Sequence, residues 1–101
     1  MEVRMEIVRR GRWLYDNSVF EPVDIVTLNY DFWYALARAS DQLEPDEVPR
    51  PLNGRGVLYY YRFRKAGDLS TPTWPDSSGF LEVEQAMLAA QESAPSSIEW
   101  E

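Results

Sequence analysis

The residues best suited to chemistry in this chain are arginines set among aromatic rings. Arg55-Gly56-Val57-Leu58-Tyr59-Tyr60-Tyr61-Arg62-Phe63-Arg64 packs guanidinium groups and rings into one short run. Strand alternation splits the run into two sets, because successive side chains point to opposite faces. Tyr59, Tyr61 and Phe63 share one face with Val57. Tyr60, Arg62 and Arg64 share the other with Leu58. A second basic run, Arg9-Arg10-Gly11-Arg12, lies far upstream. If the two runs meet in one sheet, Arg10, Arg12, Tyr60, Arg62 and Arg64 form a basic, aromatic surface. Trp74 adds a large ring on a proline-rich stretch, Thr71-Pro72-Thr73-Trp74-Pro75-Asp76. Trp, Tyr and Arg dominate the energetics of protein interfaces, so these six are the candidate partner-binding residues.

Other chemistries find less support. The chain has no cysteine and no histidine. That removes the thiol nucleophile, the disulfide scaffold, the Cys-type metal site and the commonest general base. Lys65 is the only lysine, and no motif joins it to a serine as a catalytic pair. Gly54-Arg55-Gly56 has the composition of a phosphate-cradling loop, but a strand rather than a helix follows, so Asn53-Gly54 reads as a turn. Glu44, Asp46 and Glu47 lack the spacing of a calcium loop. Asp16, Asp24 and Asp31 surround one expected strand, and two of them converging would suit a carboxylate hydrolase. No metal or cofactor is expected.

Charge is unevenly distributed. The net charge of −7 over 101 residues argues against a general nucleic-acid coat. Residues 1–12 nevertheless carry a net +2 and residues 55–65 a net +4, against −6 for 13–54 and −7 for 66–101. Small acidic inhibitors of nucleases and other toxins share this profile of no cysteine, many acids and many Trp and Tyr, which is an analogy of composition alone.

The elements that must position these residues follow from periodicity. Residues 2–8 alternate, with Val3, Met5 and Ile7 on one side, and read as a strand. Residues 9–12 read as a turn into a second strand at 13–15, broken by Asp16-Asn17-Ser18. Residues 23–28 make a third strand, and Pro22 suits a strand start or an edge. Asn29 or Asp31 caps a helix from Phe32, ended by Pro45. Residues 44–56 form a loop. Residues 57–64 form the strongest strand, and 66–79 a second loop with the length of a functional one. Val83, Ala86, Met87 and Ala90 define a second helix. Pro95 ends it, and Ile98 and Trp100 suggest a last strand. The segment from Gly79 to Trp100 resembles a pattern common in small bacterial proteins.

The expected fold is a single α+β domain over 1–101, in two layers. An antiparallel or mixed sheet carries two helices on one face, in the order β-β-β-α-β-α-β. The leading functional expectation is a non-catalytic interaction, inhibitor or accessory module with a protein partner. The alternative is single-stranded nucleic-acid binding through Arg4, Arg10, Arg12, Tyr60, Arg62 and Arg64. Residues 55–63 resemble the base-stacking strand of RNA-recognition sheets in a basic residue, a glycine and one aromatic; Val57, Leu58 and Arg62 depart from it. A bare aromatic edge strand would also permit a homodimer. No apolar signal region or spanning helix is evident, so the expected location is the cytoplasm, without a membrane partner.

Overall fold

The computed structural model describes residues 4–64 and 75–101; Trp74 and most of the second expected loop lie outside them. The elements are β1 (Met5–Tyr15), β2 (Val19–Leu28), α1 (Phe32–Ala39), β3 (Leu58–Phe63), α2 (Val83–Ser93) and β4 (Ile98–Trp100). The strands form one antiparallel sheet in the order β3-β2-β1-β4. The chain is thus an α+β domain with four strands and two helices.

The two strands expected before residue 16 are one. Gly11 marks no turn; it marks a close approach, as glycine inside a strand often does. A Cβ at Gly11 would lie 2.7 Å from Trp100 Cε3 and 2.9 Å from Ile98 Cγ2. The bare backbone lets β4 lay these two side chains over β1. The chain reverses instead at Asp16 and Asn17, both at positive φ, with Ser18 N–H donating to Tyr15 O at 3.0 Å. Asp and Asn tolerate the left-handed region, which tight hairpins require.

Pro22 lies on an inner strand rather than an edge. The N–H and C=O of a strand residue point the same way. Pro22 O accepts from Arg64 N at 3.0 Å, so its missing donor faces the end of β3, past the last paired residues Val23 and Phe63. The ladder between β1 and β2 is therefore intact across Pro22.

The two faces of the sheet are built differently. Trp13, Val23, Ile25 and Tyr59 lie on one, with α2 packed against them through Ala86 and Ala90, both fully buried. Two alanines one turn apart let the helix sit close to the sheet. Complete burial of Ile25 alone contributes roughly 1.5–3 kcal/mol. The helix starts with a capping box, Glu82 N–H donating to Gln85 Oε1 at 3.1 Å. The opposite face holds a smaller cluster, Val26, Leu28, Leu58 and Tyr60, closed by Ile7, Tyr30 and Phe32. Only the start of α1, capped by Asp31 Oδ1 accepting from Tyr34 N, reaches this cluster. The two helices therefore do not share one face, as the sequence pattern suggested.

The aromatic edge is not bare. Outward-facing groups of β3 are met by residues 76–80. Tyr59 and Phe80 exchange two backbone hydrogen bonds at 2.8 Å. Tyr61 N–H donates to Ser77 Oγ at 3.0 Å, and Tyr61 O accepts from Asp76 N at 3.0 Å. Phe63 N–H donates to Asp76 Oδ2 at 2.7 Å. Strand pairing with a second copy at this edge, the route the sequence suggested for a homodimer, is blocked by the chain itself.

Candidate interaction surface

Five of the six candidate residues, Arg10, Arg12, Tyr60, Arg62 and Arg64, share a face, and for Arg10 and Arg12 a bulge is the reason. Met5 and Ile7 pair with Leu28 and Val26, so odd-numbered residues of β1 start out on the face of Val26. The register shifts between Ile7 and Arg9, which inserts one extra residue. Beyond it, even-numbered residues take over that face. Arg10 now sits opposite Asp24, and Arg12 opposite Pro22. Asp24 in turn sits opposite Arg62. Without the bulge, Arg10 and Arg12 would point to the α2 side.

The two basic runs are not adjacent strands, because β2 lies between them and contributes Asp24. This carboxylate is 0% exposed and Arg62 2%. Arg62 Nη2 lies 3.2 Å from Asp24 Oδ2. Arg64 holds both oxygens, with Nε 2.9 Å from Oδ2 and Nη2 donating to Oδ1 at 3.2 Å. The Nε–Oδ2 approach is an ion pair without hydrogen-bond geometry, so Nη2 carries the Arg64 hydrogen bond to this carboxylate. Arg62 Nη1 also approaches Met5 Sδ at 3.5 Å. Arg62 and Arg64 thus serve the interior, where a solvated face was expected.

Tyr60 is also interior, at 0% exposed. Its hydroxyl donates to Tyr30 O at 3.2 Å and accepts from Phe32 N at 2.9 Å, tying β3 to the start of α1. Burial pushes its pKa up from 10.0 to about 12. No ligand can stack on this ring while the fold is intact.

Arg10 and Arg12 remain exposed. The Arg12 guanidinium lies 4.3 Å from the Phe20 ring centroid, a cation–π arrangement, and 3.6 Å from Glu99 Oε2 in a well-solvated pair. Arg10 has no side-chain partner among the described residues. Past Val23 the β1–β2 hairpin extends beyond β3, and its end exposes Tyr15, Val19 and Phe20. Phe20 escaped the sequence reading because its neighbour across the strands, Leu14, gives no charge signal. Asp24 carried one: a single acid inside Val23-Asp24-Ile25-Val26 is either solvated or paired, and here two arginines pair it.

The three aspartates around β2 do not converge. Asp16 occupies the hairpin turn, Asp24 the middle of the strand, and Asp31 the cap of α1, where its Oδ2 also accepts from Arg50 N at 2.8 Å. The ten residues of β2 keep the first and last about 30 Å apart. Among the described residues no three acidic side chains are placed to hold a metal ion, and no helix is long and apolar enough to cross a membrane. Comparison with known protein families, curated proteins and solved structures returned no match.

Proposed function

We propose that this chain is a non-catalytic cytoplasmic interaction module that grips a protein partner with the projecting end of its β1–β2 hairpin. The observation that carries this reading is the exposed set of Arg10, Arg12 and Phe20, which runs along one face of the sheet toward the hairpin end, where Tyr15 and Val19 are exposed as well. Exposed apolar groups beside guanidinium groups are the composition of interface hot spots. The matching partner surface is apolar with flanking carboxylates. The rest of the chain is acidic, which repels such a partner in other orientations and narrows the approach to the hairpin.

The test uses immobilised chain and native-source extract, with and without nuclease. A variant with Arg10, Arg12 and Phe20 all changed to Ala serves as the comparison. A protein captured in near-equal amount by the parent chain after nuclease, and lost with the variant, is the expected result. Equal capture by both, or recovery of nucleic acid with every protein lost after nuclease, overturns the proposal.

A further inference from the structure

A second binding site lies on the other face, at the end of the sheet remote from the hairpin turn. A cavity of about 570 Å³ opens there, within the size range of small-molecule sites. Its floor is a row of three residues across the sheet, Glu6, Thr27 and Tyr59. Thr27 is 6% exposed and Tyr59 8%, yet neither hydroxyl has a hydrogen-bond partner among the described residues. Neither is sealed off from solvent. Two hydroxyls without a protein partner thus face one cavity, open to hydrogen bonding by a molecule that enters it.

Arg4 and Arg55 stand in the walls. The Arg55 guanidinium has no partner among the described residues, and the turn beneath it is closed by hydrogen bonds. Asn53 builds that turn. Its Oδ1 accepts from Arg55 N at 2.9 Å and Val57 N at 3.2 Å, and its Nδ2 donates to Leu81 O at 3.0 Å. Its backbone O accepts from Gly56 N at 2.9 Å, and its N–H donates to Val57 O at 3.0 Å. Gly56, at φ +78°, completes the turn. A backbone already hydrogen-bonded under Arg55 leaves less to order on binding. The adjoining cavity of about 430 Å³ shares Arg55 and Tyr59 but is acidic beyond them, with Glu82 and Glu84. In a chain of net charge −7, two arginines, Arg4 and Arg55, and one carboxylate, Glu6, line this cleft.

We infer that this cleft binds a small organic anion, its carboxylate or phosphate held between Arg4 and Arg55 and its hydroxyl groups meeting Thr27, Tyr59 and Glu6. Guanidinium groups suit either anion through paired N–H donors. Glu6 disfavours a bare anion and selects one that also carries a donor. The site shares no residue with the hairpin surface, so the two proposals stand or fall separately.

Amide chemical shifts of the full chain, titrated with glycerol 3-phosphate and separately with citrate, read the outcome and distinguish the two anions. Saturable shifts at Thr27, Tyr59 and Gly56 with at least one probe are expected, with Arg55→Ala weakening that binding about tenfold or more and Arg12→Ala leaving it unchanged. Arg55→Ala removes a side chain that the fold does not use, so its spectrum stays dispersed. Tyr59→Phe, which keeps the ring, weakens binding by a smaller factor. No saturable shift with either probe up to about 10 mM, or shifts that survive Arg55→Ala, overturns the inference.

Discussion

Arg62 on β3 with Arg64 just past its end, and Arg10 and Arg12 on β1, occupy the same face of one sheet, each pair two residues apart. In sequence they look alike, as basic residues beside aromatic rings. In the fold the β3 pair closes on a fully buried carboxylate, while the β1 pair faces solvent. The strand between them makes the difference. Asp24 neighbours both strands, but Arg64 and Arg62 turn inward to it, and Arg12 turns outward to Phe20 and Glu99. A count of basic residues therefore measures neither surface charge nor binding capacity; the position of the counter-ion decides which guanidinium groups remain available.

The sharpest way to break this contrast is Asp24→Ala. It leaves two buried guanidinium groups without their carboxylate, and loss of one partner in such an arrangement costs about 3–5 kcal/mol. Urea unfolding checks this; a loss below about 1 kcal/mol would mean that Asp24 does not organise the face.

Tyr60→Phe probes the same interior at smaller scale. It removes one acceptor from Phe32 N–H and one donor to Tyr30 O, for about 1–2 kcal/mol. It also has a pH signature. The folded pKa of about 12 lies above the ordinary value of 10.0, so the fold favours the neutral phenol. The associated stability is complete below pH ~10 and is lost as pH rises toward ~12. Unfolding midpoints measured between these values should fall less steeply for Tyr60→Phe than for the parent chain.

The smallest effect is on the β1 pair. Arg12→Ala should change stability by no more than about 0.5 kcal/mol, since its ion pair with Glu99 is solvated. A larger loss in the same unfolding assay would make Arg12 structural and weaken its assignment to the interaction surface.

Much of this architecture was legible in the residues, and the gaps have physical causes. The alternation from 58 to 63 and the spacing of Val83, Ala86, Met87 and Ala90 gave β3 and α2 directly, since both follow from the period of one element. Gly11 misled because local reading cannot tell a glycine needed for a turn from one needed for packing beneath Trp100. The bulge at residues 7–9 was invisible for a related reason: it depends on how β1 meets β2, yet it decides where Arg10 and Arg12 point. The basic surface was therefore half legible. Alternation put Arg62 and Arg64 on one face with Tyr60, while the side taken by Arg10 and Arg12 depended on the bulge, and the burial of Tyr60 and Arg62 on Asp24 and on the start of α1, which arrive from elsewhere in the chain.

The closed outer edge of β3 bears on how this protein would fail. Residues 76–80 satisfy the backbone groups of an aromatic strand that would otherwise be a ready template for another chain. Because that segment leads straight into α2, a local opening there strips the guard from Tyr59, Tyr61 and Phe63 while the hairpin stays paired. Aggregation then starts from a nearly native molecule, and its rate follows the free energy of this local opening rather than that of global unfolding.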